Sequence, residues 1–285
     1  MRVRHRIIGA VTVVAVGIGL AACSSSSTAN PPATTGAPAA SPSVVLLRAV
    51  QSTEQQNSAD IGMALRVGID GKTIGLTGSG SIDLDNNAMQ LTLNLKGLPI
   101  SGLASELGTL SVIYVDGTAY VSNPEISKLA PGKNWIAQPV TKSATSGLQL
   151  TNASDMLKIL SAKGAVVTKV GPQTIGSTPV TAYDVALSPA VINSRLSSVG
   201  ISSSDASAVK KIFQDGLTYR VYVGSDNRIR RMSLSIALPA GSGASASHES
   251  MVIDFTNYGT PVSITAPPAS QVTTLQELEG GQTIG

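Results

Sequence analysis

The chain has 285 residues, 42% of them hydrophobic and 13% charged, which excludes a disordered polyelectrolyte and is enough apolar material for one large domain or two small ones. Aromatic residues make up only 3%, so a core must be filled by Leu, Ile, Val, Ala and Met. The net charge of +3 belongs to the N-terminus: without Arg2, Arg4 and Arg6 the 20 basic residues fall to 17, against 17 acidic ones, so neither a nucleic-acid partner nor a polybasic membrane patch is expected.

Residues 1–22 have the three parts of a secretory signal peptide. Arg2, Arg4, His5 and Arg6 form a positive start, Ile7 to Leu20 is uncharged and apolar, and Ala21 and Ala22 end the run in small residues. The apolar run is shorter than the roughly 20 residues of a bilayer span. Cys23 follows at once and is the only cysteine, which excludes a disulfide framework. Leu20-Ala21-Ala22-Cys23 resembles a lipobox, where the thiol is the nucleophile that forms a thioether to a diacylated group. Cys23 is therefore expected to carry a lipid anchor that holds the chain on the extracytoplasmic face of the cell membrane. From Ser24 to Pro42 the sequence is built of Ser, Thr, Ala, Pro and Gly with one Asn. Without large apolar residues it cannot offset the entropy of ordering, so residues 23–42 are expected to form the lipidated cysteine and a disordered stalk.

Residues 43–285 are expected to form a single domain. Ser41 as N-cap, Pro42 as first helical residue and the stripe Val45, Leu46, Ala49, Val50 predict a helix. The period then becomes two: Ile61, Met63, Leu65, Val67 and Ile69 alternate with smaller or polar residues. Asp70-Gly71 turns the chain, Leu76, Ile82 and Leu84 continue on a return strand, and Asp85-Asn86-Asn87 leads to Met89, Leu91, Leu93 and Leu95. A loop from Leu98 to Leu107 precedes the hairpin Val112–Val115 and Thr118–Val121, closed by Asp116-Gly117, and Trp135-Ile136 marks a short strand. A helix capped by Asn152 or Ser154 and stopped at Gly164 follows, with Met156, Leu157, Ile159 and Leu160 on its apolar face. Strands at Val166–Val170 and Val180–Leu187, joined through Gly171, Pro172 and Gly176, come next. Helical pieces at Pro189–Val199 and Asp205–Gln214 precede strands at Leu217–Val223, Arg228–Leu238 and Met251–Tyr258, and the end from Pro261 is expected to be mostly extended. Many sequential hairpin strands with few helices predict an α+β fold, a large curved antiparallel sheet forming a half-barrel with helices across its concave face.

The order of motifs carries a resemblance. After the stalk come Tyr114-Val115-Asp116-Gly117-Thr118-Ala119-Tyr120-Val121, Lys133-Asn134-Trp135-Ile136 and Val170-Gly171, then Thr174-Ile175-Gly176, Val180-Thr181-Ala182-Tyr183, Phe255-Thr256-Asn257-Tyr258-Gly259-Thr260-Pro261-Val262 and Ala266-Pro267-Pro268. This resembles the actinobacterial lipoproteins of the LppX/LprAFG type, related in fold to the LolA and LolB lipoprotein carriers. The resemblance implies a concave side that encloses an apolar cavity for the acyl chains of a lipid or acylated glycolipid, and a membrane transporter as a possible partner.

Catalysis is not expected. His5 leaves with the signal and His248, the other of two histidines, lies in a flexible-looking Gly-Ser-Ala stretch, a poor setting for a general base. No second His or Cys remains for a transition-metal site, no Gly-x-Ser-x-Gly elbow surrounds a serine, and no cofactor motif is present. Asp83 and Asp85 beside a turn read as solvated turn residues. Leu76, Gly78, Gly80, Ile82 and Leu84 share one parity, so two side chains are missing from an apolar strand face. Either a ligand or a helix fills that space, or the glycines permit a bend where the sheet curls. The candidates for lining a lipid cavity are Ile61, Met63, Leu65, Leu76, Gly78, Gly80, Leu91, Leu93 and Leu95. The alternative is a tethered envelope interaction protein with a closed core and contacts on loops such as Gly241 to Ser247.

Overall fold

A computed structural model of the chain describes residues 40–69, 72–95, 108–140, 157, 160, 163–198, 213–236 and 246–280. Cys23, the signal peptide, the Asp70-Gly71 turn, the Leu98–Leu107 loop and the Gly241–Ser245 stretch lie outside them, as does most of the expected helix at 152–164 and of the helical piece at 205–214.

Helix α1 spans Pro42–Glu54, with Ser41 extended at the N-cap position and Pro42 in the first turn. Its Leu46, Ala49, Val50 and Thr53 are buried, the stripe expected from their spacing with Thr53 added. A meander follows: β1 (Ser58–Ile69), β2 (Lys72–Asp83), β3 (Ala88–Asn94), β4 (Thr109–Val115), β5 (Thr118–Ser122) and β6 (Trp135–Pro139), with a short helix α2 (Ile126–Leu129) before β6. The turns use residues that tolerate positive φ, among them Asn87 before β3 and Asp116-Gly117 between β4 and β5, at φ 49° and 71°. Asp83 serves its turn, as expected: its carboxylate accepts hydrogen bonds from the backbone and side-chain amides of Asn86.

The second half comprises β7 (Val166–Ile175), β8 (Thr178–Leu187), helix α3 (Pro189–Ser198), β9 (Leu217–Gly224), β10 (Ile229–Ile236) and β11 (Ala246–Thr256). Three expectations are corrected here. Gly171 and Pro172 do not join two strands; they lie within β7, where Gly171 takes φ 131° at a bulge, and the hairpin turns at Gly176. His248 belongs to the strand β11, where its backbone pairs with Gly68, not to a flexible loop. The tail is not extended throughout: after residues 260–268 come a 3₁₀ turn, the strand β12 (Val272–Thr274) and helix α4 (Leu275–Gly280).

All twelve strands form one sheet in the order β12-β6-β5-β4-β3-β2-β1-β11-β10-β9-β8-β7. Every neighbouring pair is antiparallel except β12 with β6, so the expected large antiparallel sheet is present and is mixed only at that edge. β12 holds only three residues and no apolar alternation, so its pairing left no pattern in the sequence. The sheet is not closed; its edges are β12 and β7. Helix α1 packs against both β7 and β10, three places apart in that order, as a sheet curling around a helix permits.

The core gathers where α1 meets the sheet. Leu46, Ala49 and Val50 join Ile82, Phe255, Ile229, Val185 and Val221, with Leu157 and Leu160, at helical positions, and Phe213 in the same cluster. One polar link ties the helix to the sheet inside this cluster. Thr53, fully buried, donates its hydroxyl to the Ala49 carbonyl at 2.7 Å and accepts the Ile229 amide at 3.0 Å. Tyr258 just past the end of β11 donates to the Ile229 carbonyl, so both backbone groups of Ile229 are held by side chains. Replacing Thr53 by Val keeps the shape and strands the buried Ile229 amide. Thr53→Val is expected to cost about 1–3 kcal/mol of stability, read as a lower urea midpoint with an unchanged denaturant slope.

Candidate functional site

The register of the strands places one parity of residues on a single apolar face. From Met63 on β1 a row runs through Gly78 and Leu93 to Leu110 on β4, and the other way through Ile253, Met232 and Val221 to Tyr183 on β8. The next row runs from Leu65 to Leu76 on one side and through Met251, Leu234 and Tyr219 to Val185 and Val167 on the other. The opposite parity is polar. There Arg220 grips Asp184 with two bonds of 2.7 and 2.9 Å, Arg231 grips Asp254 at 2.5 and 2.8 Å, and Asp60 accepts from Ser81 and Asn257. These bonds hold both guanidinium groups above their ordinary range of protonation. They mark this side as the wet one and contribute little stability while half-exposed.

Burial on the apolar face is graded. Along β1, Ala59 is 1% exposed and Ile61 8%, and then Met63 and Leu65 are only half-buried. Leu91 is buried, whereas Leu93 and Leu110 in the following row, and Leu76 beyond it, are half-buried. Val112 and Val121 on β4 and β5 are half-buried too. The floor is thus closed beneath α1, and the apolar face loses cover toward the β1–β2 end. Most of the expected cavity residues follow this gradient, Ile61 and Leu91 in the closed part and Met63, Leu65, Leu76 and Leu93 in the partly covered part; Leu95, beyond Leu93, departs from it and is 8% exposed. Leu95 lies just past β3, its amide bonded to the Gly108 carbonyl at 3.0 Å.

Gly78 and Gly80 resolve the choice left open by their missing side chains. A Cβ at Gly78 would lie 2.6 Å from Leu93 Cδ2 and 3.1 Å from the Thr92 carbonyl oxygen. A Cβ at Gly80 would overlap the Gln90 carbonyl oxygen and stand 2.8 Å from Leu91 Cα. The neighbouring strand β3 itself occupies the space, so these positions are where the sheet bends closely onto its neighbour, not an empty slot.

Two side chains on this face escaped the sequence reading. Tyr183 and Tyr219 are each 5% exposed, yet among the described residues neither hydroxyl has a hydrogen-bond partner. Asn87 Oδ1 is the only fully enclosed side-chain polar atom without a partner among those residues. The two phenol oxygens are therefore not sealed in; they reach accessible space from otherwise buried rings. Desolvation pushes the Tyr219 hydroxyl up to about 12 from 10.0 and raises that of Tyr183 as well. The signal was present in the alternation of Leu217-Thr218-Tyr219-Arg220-Val221, which puts Tyr219 on the same side as Leu217 and Val221.

Among the described residues no three His, Cys, Asp or Glu side chains come together as a metal site, and no helix is long and apolar enough to cross a membrane. The fold and the face define an open, curled β-sheet domain with one apolar and one polar side. No protein-family model and no curated protein matches the chain. Among solved structures it is similar to the lipoprotein LppX of Mycobacterium tuberculosis, at 11% identity and a TM-score of 0.47 over 79% of this chain and 98% of that one. It is also similar to LprF of Mycobacterium bovis, at 10% identity and TM-score 0.39 over 79% and 96% of the two chains. A LolA-superfamily protein of Nitrosomonas europaea matches at 11% identity and TM-score 0.29, again over 79% and 96%. These are likenesses of outline; the strand order and register define the architecture.

Gly80→Ala is expected to cost at least about 2 kcal/mol, since only backbone can yield, whereas Gly75→Ala, with nothing within 4 Å of its Cβ, is expected to be neutral or stabilising by up to about 1 kcal/mol. Thermal unfolding of the two variants side by side checks this. Because Tyr219 holds its proton more tightly when folded than the ordinary 10.0, its contribution is complete below about pH 10 and is lost as the pH rises through about 12. Denaturant titrations at about pH 9 and about pH 11.5 are expected to show a loss of stability that is smaller by about 2 kcal/mol in Tyr219→Phe, the remainder coming from Tyr183 and Tyr258, which are raised as well.

Proposed function

We propose that this protein is a lipid-anchored lipoprotein of the extracytoplasmic face of the cell membrane. It binds the acyl chains of a lipid or acylated glycolipid on the apolar face of its open sheet, for transport across the envelope. The observation that carries this reading is the apolar parity that runs from β4 to β8 through the Met63 row, half-buried at Met63, Leu65, Leu76, Leu93 and Leu110 although one large core cluster lies beside it. Side chains such as Met63, Leu65 and Leu93 still have apolar area to remove from water. Hydrocarbon is the chemically matched filler, at about 0.8 kcal/mol for each methylene buried, so a chain of about fifteen methylenes offers on the order of 12 kcal/mol before the entropy of ordering it. The expected anchor at Cys23 and the stalk after it would hold this face near a membrane that supplies such chains, and a membrane transporter is the natural source or recipient of the cargo.

Native mass spectrometry of the purified protein, with extraction of the co-purifying lipids, tests the reading. Adducts of acyl lipid mass are expected, and Met63→Asp, which puts a carboxylate on the half-buried face, is expected to abolish them while the circular dichroism spectrum is retained. Protein free of lipid, and unable to take up any acyl lipid from vesicles, overturns the proposal.

A further inference from the structure

The tyrosine pair adds chemistry that hydrocarbon alone does not require. Tyr183 pairs in register with Val221 and Tyr219 with Val185, so the two rings stand at diagonal positions on adjacent strands, with Cβ atoms within roughly 8 Å. Both point from the apolar face, among Val167, Val185, Val221, Leu234 and Met232. Both hydroxyls reach accessible space, so a ligand that covers this face without offering an acceptor would leave each unpaired at a cost of about 1–3 kcal/mol. Two such groups side by side, opening on the same face, form an incomplete hydrogen-bonding site.

We propose that Tyr183 and Tyr219 donate hydrogen bonds to the ester carbonyl oxygens of an O-acylated ligand and so select acyl esters over bare or ether-linked hydrocarbon. This rests on the lipid-binding reading and names the chemistry of its ligand. Among the described residues the surroundings hold no cluster of cations that would make a site for an anion. In the two rows that hold the tyrosines, the one cation among the described residues is Lys169, opposite Tyr183 on the exposed edge strand. One row further toward the less covered end stands the carboxylate of Glu249, paired in register with Ile236, which repels an entering carboxylate or phosphate. The phenols keep their protons at any ordinary pH, so they remain donors, and an ester carbonyl is an acceptor only.

The test compares 1,2-dipalmitoylglycerol, its dihexadecyl ether analogue and palmitate, each displacing a fluorescent apolar probe from the full secreted protein. The ester is expected to bind about tenfold more tightly than the ether. The double variant Tyr183→Phe/Tyr219→Phe is expected to bind both within twofold of each other, with ether affinity unchanged, and Tyr219→Phe alone to fall between. Since neither hydroxyl has a partner to lose among the described residues, both variants are expected to unfold at the wild-type temperature or above it. Equal binding of ester and ether by the wild type, an ester preference that survives in the double variant, or palmitate binding more tightly than the ester overturns the inference while leaving lipid binding in place. Failure of both ester and ether to bind removes the lipid-binding reading itself.

Discussion

Everything in this molecule depends on the register of its strands. Because side chains alternate with a strict period of two, the pairing that sets Met63 opposite Ile253 also sets Gly62 opposite Asp254. A slip of one residue between β9 and β10 would turn one of the two strands over, bringing Arg220 or Arg231 to the apolar side and exposing Val221 or Met232. Burying even one guanidinium there without its carboxylate is far more costly than any single apolar contact is favourable. The paired charges on the wet side thus act as much to forbid wrong registers as to stabilise the right one.

The second constraint is the fastening of α1. A helix laid on a sheet buries apolar area in many nearly equivalent positions, and area alone does not choose among them. Thr53 does choose, because its hydroxyl meets one particular backbone amide, that of Ile229, while Tyr258 takes the carbonyl of the same residue. Arg228 and Arg230 lie 5.6 and 5.4 Å from the centre of the Tyr258 ring and share Asp226, which fixes the β9–β10 turn around that ring. The closed floor of the sheet is therefore set by a few directional contacts, and the wide apolar face beyond it is left to whatever fills it.

Much of the architecture was legible in the sequence, for a physical reason. The alternation in Ile61-Gly62-Met63-Ala64-Leu65 and in Leu91-Thr92-Leu93 records a sheet with one dry face, and Asp116-Gly117 records a turn that needs positive φ at both positions. What could not be read is what alternation does not encode. The parallel pairing of β12 involves three residues without a pattern. The bulge at Gly171 looks in sequence like a chain reversal, because glycine followed by proline serves both. Gly78 and Gly80 announce close packing without saying against what, and the structure answers with the backbone of β3. Tyr219 was passed over because a tyrosine at an inward position normally finds a partner for its hydroxyl, and only the structure shows that among the described residues this one does not.

A sheet that stops short of closing leaves two rows of backbone groups able to recruit strands from other molecules. Here each rim is blunted in its own way. On β7 the bulge at Gly171 breaks the ladder, and Pro172 next to it has no amide to offer. On the far side β12 presents only three residues before the chain turns into α4, with Glu277 holding the Thr273 hydroxyl and the Thr274 amide. Such a domain can remain ajar without polymerising edge to edge.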